Sequence, residues 1–378
     1  MGSRQLDALV IGAGVSGLTT AVCLAEAGLA VAVEAAEPPQ HTTSSVAGAI
    51  WGPHLVGMDA RVAGWAEVTL ARLRQLAGDP AAGIREIGGI TSSRAAQQDG
   101  VATADPGRDP PDQAGHPTQP VSPDPPAQPV PLDPRAQPVL LDPPTQPAPP
   151  DPPGPPGWTD GVGVRVRCED SELPAGFTSG WRFSAPVISM PVYLDYLQAR
   201  FQSAGGSVRY GRAFASLAAA ASQVSADVIV NCSGIGAHDL VPDPDMVPVR
   251  GQAVVVANPG IGEFFIGVGQ EPGDLTYLFP HQDTVVLGGT EQPGSWDRQP
   301  DPATTNRILR ACEAVQPRLR GSPVLAHKVG LRPVRPAVRL EAERTGDGRP
   351  LLHNYGHGGA GVTLSWGCAL EVTRAVLG

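Results

Sequence analysis

The sequence has little of what several common kinds of site require. Its five cysteines are scattered, with no CxxC pair and no histidine at ligand spacing. This scatter argues against a disulfide framework or a zinc site, so we expect no bound metal and a reducing compartment. No apolar run is long enough to span a bilayer, and the N-terminus lacks the pattern of a secretory signal. We therefore expect a cytoplasmic protein that does not associate with a membrane.

Positive charge is also scarce. Lys328 is the single lysine, and 27 Lys and Arg residues face 37 Asp and Glu residues, which gives a formal net charge of -10. A protein that holds nucleic acid through a basic patch is therefore not expected. With 378 residues, of which 41% are hydrophobic, the chain is expected to fold as two domains or one large α/β unit.

A proline-rich segment interrupts the chain at residues 104–157, which hold 21 of the 42 prolines. It contains a nine-residue repeat in which Asp124, Asp133, Asp142 and Asp151 recur in phase. Proline lacks the amide donor and fixes φ, so neither helix nor sheet interior is expected here. We interpret the segment as an extended or disordered surface insertion that a loop tolerates. A spacer or docking strand is the alternative.

A glycine-rich loop stands near the N-terminus. Residues 7–34 have the pattern strand, turn, helix, strand, and Gly12-Ala13-Gly14-Val15-Ser16-Gly17 fits G-x-G-x-x-G at the turn. The first two glycines permit the tight turn and a close approach to a pyrophosphate, and the third permits close helix–strand packing. A dinucleotide site is therefore predicted. The loop by itself leaves NAD and FAD open, and either Glu34 or Glu37 could bind the ribose.

Several further segments carry a family resemblance. They are HTTSSVAGAIWGP (41–53), ADVIVNCSGIGA with PVRGQ (248–252), TYLFPH and VVLGGT (276–290), GLRPVRP (330–336), and HNYGHGGAGVTLSWGCA (353–369). In this order and spacing they resemble the D-amino-acid oxidase family of flavoproteins, especially its bacterial members. The resemblance extends over nearly the whole chain except the proline-rich segment, and it favours FAD over NAD.

The resemblance implies an α/β fold in which a Rossmann-like FAD-binding domain and a β-rich substrate-binding domain are built from interleaved segments. The FAD-binding domain would comprise 1–103, a return near 207–240 within a mixed stretch of 158–250, and 321–378. The substrate-binding domain would lie mainly in 251–320.

The resemblance also implies which residues bind FAD. The N-terminal loop would hold the diphosphate, the Thr-Thr-Ser run would bind phosphate oxygens, and the C-terminal glycines would approach the flavin ring. Glu37 matches the acidic ribose residue of microbial members, so we favour it over Glu34. The implied cofactor residues are Gly12, Ala13, Gly14, Val15, Ser16, Gly17, Glu37, Thr42, Thr43, Ser44, Ala49, Ile50, Phe214, Ser233, Arg332, Gly358, Gly359, Gly361, Val362 and Thr363.

Four residues are expected to bind the substrate. Arg332 matches the family's carboxylate-binding arginine, whose planar guanidinium suits a bidentate contact, and Tyr277 matches a supporting tyrosine. Gly359 and His54 would border the same pocket, where His54 could meet a polar or acidic side chain. No catalytic side-chain base is expected. Gly273 stands where animal members have a second tyrosine, which leaves the substrate range open.

The activity implied is FAD-dependent oxidative deamination of D-amino acids to 2-oxo acids. Hydride would pass from the α-carbon to flavin N5, and ammonia and H2O2 would be released. The small-molecule partners would be a D-amino acid and O2, and the chain could form a homodimer. Two alternatives remain. One is a related flavin oxidase of glycine, sarcosine, D-aspartate or a specialised biosynthetic amino acid; the other is a non-catalytic protein that retains the fold.

Overall fold

The N-terminal glycine loop joins the first strand to the first helix of the fold. The computed structural model describes residues 5–94, 155–269 and 275–378, so most of the proline-rich segment and Gly273 lie outside the described residues. Strand β1 (Leu6–Ile11) leads through the loop into α1 (Val15–Glu26), and β2 (Val31–Ala35) follows. β1 and β2 pair in parallel. The strand–turn–helix–strand prediction for this region is confirmed.

A parallel part of the sheet is built around β1. Besides β1 and β2 it contains β6 (Ser207–Tyr210), β7 (Ala226–Asn231) and β14 (Pro350–His357). The five strands lie side by side in the order β6, β2, β1, β7 and β14. Alternate residues of β1 enter different clusters: Ala8 and Val10 join one core, and Leu9 and Ile11 join another. The parallel sheet is therefore covered on both faces, as its apolar strands require.

Helices fill the two sides of this parallel part. On one side α1 packs against α8 and α4, and α3 packs against α8. These three are α3 (Ala60–Leu76), α4 (Met190–Ser203) and α8 (Gly361–Leu377). On the other side Leu217 and Ala220 of α5 (Leu217–Gln223) belong to the cluster of Leu9 and Ile11. Two short helices are α2 (Thr43–Val46) and α6 (Ala237–Leu240).

The same sheet continues into a mainly antiparallel part through β13 (Val324–Arg344), which pairs with β14 on one side and β8 (Val247–Ala257) on the other. Beyond β8 the order is β11, β10, β9, β3, β5 and β4. Their bounds are β3 (Ile84–Ser93), β4 (Val166–Arg167), β5 (Ser179–Ile188), β9 (Phe264–Val268), β10 (Leu275–Pro280) and β11 (Thr284–Gly288). A short β12 (Gln292–Pro293) also pairs with β8. One face packs against α7 (Pro302–Val315), where Ile308 and Cys312 are buried.

The expected α/β class is confirmed. The residue patterns at 58–76 and 302–316 predict helices, and the structure has them at Ala60–Leu76 and Pro302–Val315. The sequence also predicts a last helix from about Leu364; α8 begins three residues earlier, at Gly361, and Leu364 N–H donates to the Ala360 carbonyl as a helical bond. The described residues fall in one compact unit through which the sheet is continuous. The division into FAD-binding and substrate-binding domains stays a prediction.

Candidate active site

One long cavity links the parallel part of the sheet to the antiparallel part. Its volume is about 740 Å³, within the range typical of small-molecule sites. The N-terminal glycine loop lines one region, and β10 and the middle of β13 line another. Every cofactor and substrate residue expected from the sequence, except Gly17, lines this cavity.

The N-terminal loop has the geometry of an anion cradle. Gly12 has φ +110°, and a Cβ there would lie 2.5 Å from the Cys232 carbonyl oxygen, so only glycine fits. Gly14 caps α1 without a side-chain hydrogen bond. The positive end of the helix dipole and its N–H groups therefore face the cavity, an arrangement that suits a diphosphate.

Gly17 differs from the rest of the loop in that it does not line the cavity. A Cβ at Gly17 would lie 2.0 Å from the Gly12 carbonyl oxygen. Gly17 therefore permits the close approach of helix and turn, which is the packing role of the third glycine in the pattern.

The Thr-Thr-Ser run lies beside this loop. The Thr42 hydroxyl donates to the Pro39 carbonyl at 2.7 Å, and the Thr43 hydroxyl donates to the Leu331 carbonyl at 3.1 Å. Ser44 Oγ instead accepts from Val15 N–H at 3.0 Å. A phosphate oxygen only accepts hydrogen bonds, so Ser44 is the member of this run whose hydroxyl proton is best placed to serve it.

The two candidate ribose carboxylates have different surroundings. Glu34 is 4% exposed and accepts from Arg209 and Arg212, each at 3.1 Å. Glu37 lines the cavity and pairs with Arg298 at 3.2 Å. Glu34 is thus buried, paired with two arginines and absent from the cavity lining. This geometry favours Glu37 as the ribose ligand.

Side chains from three segments border the cavity near Glu37. The Arg212 guanidinium lies 4.9 Å from the centre of the Phe214 ring. Ser233 donates its hydroxyl proton to Asn231 Oδ1 at 2.7 Å. Trp296 lines the cavity and is 46% exposed, close to Arg298 in sequence. Trp296 and Arg298 follow β12 in a polar turn that carries no motif, so the sequence gives no signal for either of them.

The C-terminal glycine loop is attached to the segment after Trp51. Gly358 has φ +55°, and a Cβ there would lie 1.9 Å from the Leu55 carbonyl oxygen. Gly359 N–H donates to the His54 carbonyl at 3.0 Å. Thr363 Oγ1 both accepts from Gly52 N–H at 3.1 Å and donates to the Gly52 carbonyl at 2.9 Å. These contacts hold the two segments together around one side of the cavity, beside Ala49 and Ile50.

Arg332 and Tyr277 come together over a floor of small residues. Arg332 Nη1 donates to the Thr290 carbonyl at 3.0 Å, and its guanidinium lies directly over Gly251, where a Cβ would be 2.4 Å from Nη1. A Cβ at Gly288 would lie 2.4 Å from the Tyr277 hydroxyl. The two glycines therefore provide the space that these side chains occupy.

The surroundings of Tyr277 keep its hydroxyl protonated. The ring stacks on Phe279 with centroids 4.8 Å apart, and the residue is 8% exposed. Burial raises the pKa of Tyr277 above its ordinary value. The phenol is therefore neutral at physiological pH and can donate a hydrogen bond into the cavity.

His54 meets an acidic side chain, as the sequence analysis anticipated, and the structure identifies it as Glu291. His54 Nε2 lies 3.0 Å from Glu291 Oε1. The neighbouring His54 and the Arg332 charge lower the pKa of Glu291. Glu291 follows Thr290, the residue that accepts from Arg332. Nothing in the sequence linked Glu291 to His54, since 236 positions separate them.

Two further titratable groups, His357 and Arg335, have internal partners. His357 Nε2 lies 3.0 Å from Asn354 Oδ1, and burial lowers the pKa of His357 to about 4. Arg335, three residues after Arg332, donates instead to Asp243 at 2.9 Å. The two arginines thus point to different partners. Within the described ranges, no three His, Cys, Asp or Glu residues are grouped to hold a metal ion.

Comparisons with known proteins extend over almost the whole chain. The family model DAO, described as FAD dependent oxidoreductase, matches residues 7–137 and 158–375. The chain is 42% identical to D-amino-acid oxidase from Rubrobacter xylanophilus over 364 residues, which is 96% of this chain and 94% of that protein. It is 38% identical to D-amino-acid oxidase from Streptomyces coelicolor over 372 residues, or 98% and 97% of the two chains.

Among solved structures, glycine oxidase from Geobacillus kaustophilus superposes with a TM-score of 0.71, covering 99% of this chain and 95% of that one. Its sequence identity to this chain is 17%, so the likeness shows a shared fold alone.

Proposed function

This chain belongs to the DAO family of FAD-dependent oxidoreductases, and from that premise we propose that it catalyses the oxidative deamination of D-amino acids. The observation that carries the proposal is the position of Arg332 beside Tyr277, at the end of the cavity that the FAD-type glycine loop begins. Two relatives of 42% and 38% identity named D-amino-acid oxidase support the same activity.

FAD is the cofactor of this family, and the cavity of this chain fits it. Gly12 makes the tight turn before α1, where a Cβ would lie 2.5 Å from the Cys232 carbonyl oxygen, and a Cβ at Gly14 would crowd the Ser44 hydroxyl at 3.1 Å, so the loop backbone stays open to a pyrophosphate. We assign the diphosphate to the Gly12–Ser16 loop with Ser44, and the ribose to Glu37. The flavin ring would lie against Ala49, Ile50 and the loop from Gly358 to Thr363.

The substrate residues act by binding and orientation. Arg332 has guanidinium donors besides the one given to Thr290, and these can hold an α-carboxylate in a fixed plane. Tyr277 donates its phenolic proton to the same carboxylate. Gly359 and His54 border the space left for the amine and the side chain. A substrate held in this way presents its α-hydrogen in one orientation, which supplies catalytic advantage through positioning alone.

The chemistry that bound FAD supplies is the acceptance of hydride from the α-carbon and the transfer of electrons to O2, which yields H2O2. The imino acid product hydrolyses in water to a 2-oxo acid and ammonia. No described side chain is required as a base, because hydride departure leaves no carbanion to stabilise.

Location and assembly are part of the proposal. We place the protein in the cytoplasm because its five cysteines are free and buried, which suits a reducing compartment. No helix in the described part of the chain is long and apolar enough to cross a membrane. A homodimer is the proposed oligomeric state.

The test is anaerobic mixing of the FAD-loaded protein with D-amino acids, L-amino acids, glycine and sarcosine, with flavin absorbance as the readout. D-amino acids should bleach the flavin, and H2O2 should appear when air is admitted. Bleaching by glycine or sarcosine but not by D-alanine would contradict the proposal.

A variant tests the role of Arg332. Arg332→Ala should retain FAD and lose at least about a hundredfold in kcat/KM, because a charge-assisted carboxylate contact is removed. Arg307→Ala is the control, since Arg307 is exposed on α7. Equal kinetics of the two variants would disprove the carboxylate role.

A further inference from the structure

We propose that Glu291 determines substrate specificity by disfavouring D-amino acids with acidic side chains, so that D-aspartate and D-glutamate are poor substrates. This inference rests on the proposed oxidase function and defines the substrate class of the same site. It is carried by the position of Glu291 behind His54 and next to the residue that holds Arg332.

Glu291 lies at the substrate end of the cavity. The Thr290 carbonyl holds Arg332 at 3.0 Å, and the next residue along the chain places its carboxylate 3.0 Å from His54 Nε2. The Glu291 side chain is 17% exposed and the His54 side chain is 37% exposed. His54 itself lines the cavity. The imidazole therefore stands at the cavity wall, and the carboxylate backs it.

The charge at this wall depends on Glu291 and its neighbours His54 and Arg332. The pKa of Glu291 is lowered by His54 and Arg332, so Glu291 is ionised at neutral pH. When a substrate carboxylate neutralises Arg332, Glu291 remains as a negative charge behind His54, which borders the space for the substrate side chain. A second carboxylate on that side chain would meet like charge in a partly buried site, which is unfavourable.

Among the described residues, the remaining wall near Tyr277 is apolar and has no cation to compensate. Ile266, Val268 and Leu275 line the cavity there. Val268 pairs with Leu275 and Ile266 pairs with Tyr277 across β9 and β10, so the apolar side chains share one face with the tyrosine. The described lining of this end thus suits neutral side chains, and Glu291 adds a preference against anionic ones.

Replacing Glu291 with glutamine changes the charge of this wall and little else. Glu291→Gln keeps the length of the side chain and removes its negative charge. The wall therefore becomes less negative, and discrimination against acidic side chains should fall.

The experiment compares isosteric substrates on the FAD-loaded protein. In the unchanged protein, kcat/KM should be much higher for D-asparagine than for D-aspartate. Glu291→Gln should raise the ratio of kcat/KM for D-aspartate to kcat/KM for D-asparagine about tenfold, the size expected of one partly screened charge. Glu291→Asp keeps the charge and should keep the original ratio, and Glu67→Gln on the exposed face of α3 is a further control.

The possible outcomes distinguish failure of the specificity role of Glu291 from failure of the oxidase function. An equal change of the ratio in the Asp and Gln variants would show a structural effect and overturn the specificity role. An unchanged ratio in Glu291→Gln, or an unchanged protein that oxidises D-aspartate as well as D-asparagine, would also overturn it. Failure to oxidise any neutral D-amino acid would instead refute the oxidase function itself.

Discussion

A methyl group at Gly251 should displace Arg332 without removing it. A Cβ at Gly251 would lie 2.4 Å from Arg332 Nη1, and the other near atoms also belong to the guanidinium. Ordinary contact needs about 3.5 Å, so the guanidinium must shift by about 1 Å. A shift of this size costs on the order of a hundredfold in rate when it affects a group that positions the substrate.

The expected result for Gly251→Ala is therefore a fall in kcat/KM for D-alanine of about a hundredfold, or about 2.7 kcal/mol of transition-state stabilisation. The fold should survive, because the atoms that must yield lie at the end of a flexible side chain. We would measure steady-state H2O2 release, the FAD dissociation constant from flavin fluorescence, and the free energy of unfolding in urea.

A matched control is Gly64→Ala, at an exposed helical position where nothing lies within 4 Å of the added Cβ. This variant should keep its activity and gain about 0.5–1 kcal/mol of stability from helix propensity. If Gly251→Ala kept full kcat/KM with FAD bound, the guanidinium would not need its position over Gly251. That result would refute a positioning role for the glycine floor under Arg332.

Two further predictions concern the cofactor and the pH dependence of stability. Glu37→Gln should weaken FAD binding about tenfold in a fluorescence titration, as expected for the loss of a hydrogen bond to a charged group. Glu34→Gln should mainly lower the free energy of unfolding in urea, because it breaks the pairs with Arg209 and Arg212. The reverse pattern would assign the ribose to Glu34. Burial and the nearby Lys328 lower the pKa of His281 to about 4, so the unfolded chain binds more protons between that value and about 6.5, and stability falls as the pH drops through this window. Between pH 7 and pH 4 the free energy of unfolding of His281→Gln should therefore fall by about 1–2 kcal/mol less than that of the unchanged protein, a value reduced for partial solvent screening. Identical pH profiles of urea unfolding for the two proteins would contradict this role of His281.

Local patterns were sufficient for the elements and for most of the cofactor site. The apolar strand, the glycine turn and the helix after it are contiguous, so Gly12 to Ser16 could be placed from sequence alone. The same holds for the end of β14 and the start of α8, although the helix begins three residues earlier than expected. The packing role of Gly17 was named from the pattern, yet its place outside the cavity became visible only in the structure.

The sequence by itself determined the α/β class, the two glycine segments and the arginine and tyrosine of the substrate end, because each depends on neighbouring residues or on an ordered series of motifs. Only the tertiary structure decided which side chains meet across the cavity. His54 and Glu291, and Glu37 and Arg298, lie hundreds of positions apart and become neighbours through pairing of non-local strands. The glycine floor under Arg332 has the same origin, since the space at Gly251 has meaning only when β13 pairs with β8.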